Sequence, residues 1–250
     1  MKRFARGTLL RVLGSVVRDN HAKIVFYHDI GQSNTVMGTD ECLFWSHMEM
    51  AKLHGWRFAK YGDVPTRKSL MICFDDGFRG VWERRERLRM AGICPLISVA
   101  IRLVGEKGYL TWDEIRILHN EYSFSFASHT WSHQTLTGMM ISESPQEQRT
   151  EDWFVRELRE SREVLSQKLQ DEVNVLCFPV GLFNDCVVTK GRAFGYTTFL
   201  SSIPGIWTQD SVKCRNLVQN YSVTEFSAVL EGALLPLAAR YRRRHICNEI

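Results

Sequence analysis

Two adjacent carboxylates, Asp75 and Asp76, stand at the end of the apolar run Ser69-Leu70-Met71-Ile72-Cys73-Phe74 and are followed by Gly77. Such a run, short and unbroken, reads as a buried strand. Side chains alternate along a strand but splay apart in the turn that follows, so neighbouring aspartates there can serve different partners in one pocket. One can hold a metal while the other handles a proton. Asp-Asp-Gly is also ordinary turn chemistry, and the tetrapeptide alone does not decide between the two. A second cluster, Ser128-His129-Thr130-Trp131-Ser132-His133, follows the alternating segment Tyr122-Ser123-Phe124-Ser125-Phe126-Ala127, another strand pattern. Histidines four apart can share one face of a helical turn, or be curled toward one point by a loop; taken alone such a pair is more often a surface or capping accident. Joined by Asp76 they make a two-His, one-carboxylate set. That set leaves coordination positions open for water and substrate, as a catalytic metal requires and a structural one does not.

These motifs resemble those of the polysaccharide deacetylases with a NodB-homology domain, carbohydrate esterase family 4. Phe74-Asp75-Asp76-Gly77 is similar to the first motif, and the resemblance implies Asp75 as general base and Asp76 as metal ligand. His129 and His133 are similar to the His-x3-His second motif, and Cys177-Phe178-Pro179-Val180-Gly181 resembles the third. There Cys177 stands where the family usually has an arginine that contacts the catalytic aspartate, and Val180 replaces the aromatic after proline. The resemblance implies that the Val180 amide helps form the oxyanion hole, which any side chain except proline permits. The family's last motif, Leu-x-Leu-x-His, is not found near the C-terminus, where the late His245 belongs to a basic tail. Ile24-Val25-Phe26-Tyr27-His28 has the same pattern near the N-terminus and resembles the Tyr-His segment of circularly permuted members. His28 is then the candidate acid, a strand-capping histidine being the other reading.

The elements that must position these residues can be read in coarse form. Strands are expected near 23–28, 69–74, 93–99, 123–127, 174–178, 195–200 and 215–219, and helices over 41–55, 80–91, 112–121, 148–170, 184–193 and 223–235. Thr111-Trp112-Asp113-Glu114 spells a capping box, and Phe154, Leu158, Leu165 and Leu169 form a packing stripe on the long helix. Alternation of β and α implies a parallel sheet with right-handed crossovers. The resemblance implies closure as an irregular (β/α)7 TIM-like barrel of α/β class, with the site at the C-terminal strand ends. His28, Asp75, Asp76, His129, His133 and Pro179-Val180 all fall just past such ends. The expected organisation is a basic amphipathic helix over 1–22, one catalytic domain over 23–235 and a basic tail over 236–250.

Composition narrows the surroundings. With 250 residues, 44% of them hydrophobic, the chain can bury one full core. Seven cysteines without Cys-x-x-Cys spacing point to reduced thiols, with Cys73, Cys94 and Cys177 expected as small buried strand residues. Arg11 interrupts the N-terminal apolar stretch, which argues against a cleaved secretory signal, and no run approaches a membrane span. A cytoplasmic protein is expected. Positive charge collects at both ends and allows peripheral contact with an anionic membrane, a solvated tail being the simpler alternative. Nothing in the pattern suggests nucleic-acid binding.

The chemistry implied is amide hydrolysis assisted by a divalent metal, zinc being the expected ion. The expected substrate is an N-acetylated or N-formylated amino sugar in a glycan or its precursor. Trp131, Pro179 and Phe183 are candidates for contact with a sugar ring, though packing explains the aromatics equally well. Arg79 is a candidate to orient the base in place of the missing motif arginine, or to bind a charged substrate; a solvated helix-start arginine is equally consistent. A noncatalytic carbohydrate-binding relative is the competing hypothesis, argued mainly from the altered third motif.

Overall fold

The computed structural model describes residues 10, 19–31, 37–137 and 149–238. Its frame is a nine-stranded curled sheet, every pair of which is parallel. In chain order the strands of the protein are β1 (Lys23–Tyr27), β2 (Asp29–Ile30), β3 (Gly38–Thr39), β4 (Arg57–Ala59), β5 (Ser69–Phe74), β6 (Leu96–Val99), β7 (Ser125–Ser128), β8 (Val175–Cys177), β9 (Thr198–Leu200), β10 (Val212–Lys213) and β11 (Asn216–Leu217). The sheet runs β10-β9-β8-β7-β6-β5-β1-β11, with β4 also paired to β5, while β2 and β3 form a small separate pair. This is the expected (β/α)7 architecture, an irregular barrel in which β10 and β11 do not hydrogen-bond to each other. All seven anticipated strands are present; β2, β3, β4 and β10, of two or three residues each, were too short for periodicity to reveal.

Burial follows the period of two that a strand imposes. Ile24, Phe26, Met71, Cys73, Leu96, Ala127, Val175, Cys177 and Leu200 point into the barrel and pack with Trp207. Val25, Tyr27, Leu70, Ile72, Phe74, Ile97, Val99 and Phe126 face outward beneath the helices. Both faces are covered, which is why β5 reads as a continuous apolar run. Lys23 is the exception in β1: fully buried, it pairs with Asp19 and lies over the Trp56 ring.

The helices fall close to their expected places, at Glu41–Leu53, Gly80–Glu83, Arg85–Met90, Trp112–Tyr122, Asp185–Ala193 and Val223–Leu230. The Thr111–Glu114 capping box forms with both reciprocal bonds. The long helix runs from Glu151 to Leu169 but contains a π-helical stretch, Val155–Glu160, that the sequence pattern did not announce. Strand β6 starts at Leu96 because Pro95 has no N–H to give a ladder. Cys94 therefore lies outside the strand and is half-buried, whereas Cys73 and Cys177 are buried as expected. None of the six described cysteines is in a disulfide. The amphipathic helix expected over 1–22 and the tail expected over 236–250 lie largely outside the described residues; 19–22 form no helix, and Leu235–Leu237 is a single 3-10 turn.

Candidate active site

Register brings the motifs together. Tyr27 pairs with Phe74, so the residues that follow them, His28 and Asp75, emerge side by side, and the Asp75 amide donates to the Tyr27 carbonyl at 3.0 Å. Val99 pairs with Ser128, and the His129 amide donates to the Val99 carbonyl at 2.8 Å. Ser128 in turn pairs with Leu176, placing His129 beside Cys177. His28, Asp75, Asp76, His129, His133, Val180 and Gly181 line one cavity of about 280 Å³ at the C-terminal end of the strands.

Asp76 Oδ1 lies 3.3 Å from His129 Nε2 and 3.1 Å from His133 Nε2. That oxygen is buried without a well-formed hydrogen bond, the condition of a ligand awaiting a cation. His129 Nδ1–H donates to the Cys177 carbonyl at 2.8 Å, which fixes the tautomer and turns Nε2 toward the cluster. Burial alone would raise the Asp76 carboxyl, but the two imidazoles overcome it and hold the group well below its ordinary range. Burial would likewise depress His129, yet the Cys177 side chain and the Asp76 and Asp75 carboxylates hold it well above an ordinary imidazole. The same donors suit a divalent cation, which would replace those protons. All three ligand atoms lie within 4.8 Å of one another, so the residues fit a two-His, one-carboxylate metal site.

Backbone strain concentrates here. Four of the eight non-glycine residues with positive φ among those described are Asp76 (69°), Thr130 (67°), His133 (64°) and Val180 (59°). A left-handed conformation costs roughly 1–2 kcal/mol for a residue with a Cβ, and more for branched side chains. Its recurrence around one pocket is the pattern expected where geometry is held for function. Val180 occupies the second position of the 3-10 turn Pro179–Gly181; Pro179 has no N–H and the Gly181 amide donates to the Phe178 carbonyl at 2.8 Å, so the Val180 amide is the donor the turn itself does not use. Gly181 is obligatory beside it: a Cβ there would stand 2.4 Å from Ser202 Oγ.

Asp75 is held by a residue that sequence reading missed. Arg215, just ahead of β11 and fully buried, crosses the barrel mouth and grips the carboxylate with two bonds, Nη1 to Oδ1 at 2.7 Å and Nη2 to Oδ2 at 2.9 Å. Its Nε–H donates to the Ser201 carbonyl at 3.0 Å, and its guanidinium lies 4.3 Å above the Phe26 ring. Burial pushes the Asp75 pKa up, but Arg215 wins, with smaller help from His129 and His28, and holds it down at about 2. The Cys177 thiol completes the shell as a long donor to Asp75 Oδ1, 3.6 Å away. One signal for Arg215 existed: a lone arginine opening an otherwise uncharged strand, Arg215-Asn216-Leu217-Val218.

His28 Nδ1 meets Gln219 Oε1 at 2.7 Å, which leaves Nε2 for the cavity. The four residues expected to touch substrate lie elsewhere. Arg79 is paired with Glu114 at 2.7 Å, on the surface, and does not reach Asp75. Trp131 packs against the main core beneath the helices, and Phe183 is buried, stacked on Phe178 at 4.8 Å. Pro179 is buried within its turn. The cavity is walled instead by Met37, Pro204, Leu217, Tyr221 and Leu234, none of which the motifs include, together with Phe26 and Phe178 from within the motifs.

A curled parallel barrel with an Asp and His cluster at its rim that could hold a metal ion is the arrangement to set beside known proteins. The family model described as polysaccharide deacetylase matches residues 62–199, more than half of the chain, and the protein belongs to that family. Among curated proteins it is similar to YxkH of Bacillus subtilis (strain 168), whose name places it with the polysaccharide deacetylases, at 22% identity over 197 residues. That match covers 75% of this chain and 66% of the relative, so the chain spans just under two thirds of that protein's length. Among solved structures, IcaB from Ammonifex degensii superposes with a TM-score of 0.75 at 16% identity, covering 86% of this chain and 99% of that one. Streptococcus pyogenes deacetylase PplD, in complex with acetate, gives 0.71 at 19% identity, covering 84% and 98%. At these identities the structural likeness speaks for the fold.

Proposed function

We propose that the protein removes an N-acetyl or N-formyl group from an amino sugar in a glycan or glycan precursor, using a divalent metal, with zinc the expected ion. The observation that carries this reading is the meeting of the Asp76, His129 and His133 ligand atoms beside an Asp75 carboxylate paired with Arg215, at the mouth of one cavity. Asp76, His129 and His133 would hold the ion, which supplies polarisation of the acyl carbonyl and acidification of water. Asp75 is placed to accept the proton of the attacking water, its orientation held by Arg215. The Val180 amide is placed to donate to the oxyanion as the carbonyl becomes tetrahedral. His28, oriented by Gln219, is placed to give its Nε2 proton to the departing amine as the C–N bond breaks. Carboxylate and amine are the products.

The wall supports an uncharged acylamino group. Among the described residues no lysine or arginine lines the cavity, and Leu217, Tyr221 and Leu234 offer apolar surface to an acyl methyl. Such a pocket distinguishes acetyl from formyl by a single methyl, worth at most about 1–3 kcal/mol, so both are retained. Loss of the motif arginine favours a noncatalytic glycan binder, but Arg215 supplies the missing contact to Asp75 from another strand, and a binder has no use for a base held ionised beside a metal cluster.

The test is metal content together with amine release from a panel of N-acetyl and N-formyl amino sugars and oligosaccharides. Asp75→Asn is expected to bind metal and lose turnover; His129→Ala is expected to lose both. A wild-type protein that takes up no divalent metal would overturn the mechanism, and a metal-loaded one inert toward the whole panel would favour the binder.

A further inference from the structure

Glu157 is a carboxylate on the buried face of a helix. It lies three residues after Phe154 and four before Ser161, in the same stripe as Leu158 and Leu165, and its side chain is entirely shielded from solvent. A buried charge of this kind is costly unless its oxygens are satisfied. Oε2 accepts from two successive backbone amides, Trp131 at 3.1 Å and Ser132 at 2.8 Å, while Oε1 makes no hydrogen bond but lies 3.7 Å from Arg156 Nη2 in an ion pair. The two amides belong to the loop between His129 and His133. They form a small anion-binding concavity of the kind made where a left-handed residue, here Thr130, precedes them.

The helix is deformed where it supplies this carboxylate. Glu157 sits in the π-helical stretch Val155–Glu160. The turn is anchored by hydroxyls: Ser161 Oγ–H lies 2.6 Å from the Glu157 carbonyl, Tyr196 Oη–H donates to the Leu158 carbonyl at 2.9 Å, and Ser161 Oγ meets Ser128 Oγ at 3.0 Å. Ser128 ends the strand that delivers His129, and its Oγ accepts from the Thr130 amide at 3.2 Å. Thr130 Oγ1 accepts from the His133 amide at 3.1 Å. The loop between the two histidines is thus tied at every step: the Arg102 amide donates to the Trp131 carbonyl at 2.9 Å, and Glu157 holds the Trp131 and Ser132 amides.

We infer that Glu157 is a positioning residue for the metal site: its carboxylate sets the separation and tilt of the His129 and His133 imidazoles by clamping the Trp131 and Ser132 amides. The inference rests on the metal reading above. The rings it holds stand 4.6 Å apart at 69°, both within reach of Asp76. Glu157→Gln retains an oxygen acceptor of the same reach. Glu157→Asp retains charge but is one methylene too short, and Glu157→Ala removes the clamp.

The experiment measures Zn²⁺ dissociation constants by competition with a chromogenic chelator, and the visible absorption of Co²⁺-loaded protein, for wild type and the three variants. Thermal melting of each metal-free form is recorded alongside. The expected result is a loss of Zn²⁺ affinity of about 10–100-fold in Glu157→Ala and Glu157→Asp, with an altered Co²⁺ spectrum, and near wild-type values in Glu157→Gln. If Glu157→Ala does not fold, the Asp and Gln pair carries the same comparison. Variants that melt earlier yet keep the wild-type Zn²⁺ constant and Co²⁺ spectrum would overturn the inference while leaving the metal reading intact. A wild-type protein that binds neither Zn²⁺ nor Co²⁺ would overturn both.

Discussion

The rim of the barrel has two halves built on different plans. On the side of β1, β5 and β7, each functional side chain sits directly past its own strand end: His28 after Tyr27, Asp75 and Asp76 after Phe74, His129 after Ser128. On the side of β8 to β11, the contact to the base comes from a distance. Cys177 occupies the strand end where an arginine would be expected, and the guanidinium arrives from Arg215, 140 residues away from Asp75 in sequence. Both routes put a charged group at the same oxygens. On the second side the charge beside Asp75 is carried by a segment remote from the strand end that faces it.

That comparison breaks most sharply at Arg215. The pair with Asp75 is fully buried, so its net contribution as a pair is modest, but removal of one partner strands the other charge and costs about 3–5 kcal/mol. Arg215→Leu is expected to lower stability by that amount in denaturant unfolding and to abolish turnover. The double variant Asp75→Asn/Arg215→Leu, which removes both charges, is expected to recover much of the stability and none of the turnover. Equal stability in the single and double variants would mean that Arg215 is held by Ser201 and Phe26 rather than by the base.

The unequal legibility of the two halves has the same origin. Side chains one or two residues past a strand are visible in sequence because a strand announces itself and its end is short. His28, Asp75, Asp76, His129 and His133 were therefore found, and register alone brings them together. Arg215 stands just ahead of the two-residue strand β11 in an irregular closure, where the Asn216 side chain bonds to the Ile24 and Gly205 carbonyls in addition to the short ladder with β1. It opens the strand expected over 215–219 instead of following its end, so it falls outside the pattern that marks the others. Arg79 looked suitable because it was near in sequence, but the helix start it occupies turns it outward to Glu114. Trp131 and Phe183 illustrate the converse: aromatics beside a motif were consumed by packing, and the cavity wall was assembled from Met37, Leu217 and Leu234, which no motif includes.

On the first half, His28 offers the next largest effect. His28→Gln is expected to reduce amide turnover by about 10²–10⁴-fold, because the amine must otherwise leave unprotonated. Cleavage of an aryl acetate, whose leaving group needs no proton, is expected to fall far less. Equal losses on both substrates would assign His28 to binding or packing and leave the acid to be found elsewhere. Beneath this strand lies a buried neutral imidazole, His47, which accepts from the Tyr27 hydroxyl at Nδ1 and donates from Nε2 to the Tyr221 carbonyl. Burial lowers its pKa to about 4. The unfolded chain, with an ordinary imidazole near 6.5, then binds the extra proton first as pH falls. The stability that depends on this neutral ring is complete above about pH 6.5 and drains away toward pH 4, by about 2–3 kcal/mol. His47→Gln is expected to flatten that part of the metal-free protein's stability profile; an unchanged slope would place the acid sensitivity elsewhere.

The smallest effect separates strain from chemistry on the second half. Val180 holds φ 59° with a branched side chain, is 44% exposed and lines the cavity. Val180→Gly keeps the amide and removes the Cβ, so it is expected to relieve about 1–2 kcal/mol of left-handed strain, offset by the greater backbone entropy glycine loses on folding, about 0.5–1 kcal/mol. The net prediction is a slight rise in melting temperature. Turnover discriminates: if the valine side chain only tolerates the turn, kcat is unchanged because the donor is a backbone group. If the branched side chain forms part of the acyl wall with Leu217, KM for the acetyl substrate rises while kcat holds, and the formyl substrate is unaffected. A fall in kcat for both substrates would mean that the strained turn fixes the amide more tightly than glycine can, and that this half of the rim spends stability to hold its donor still.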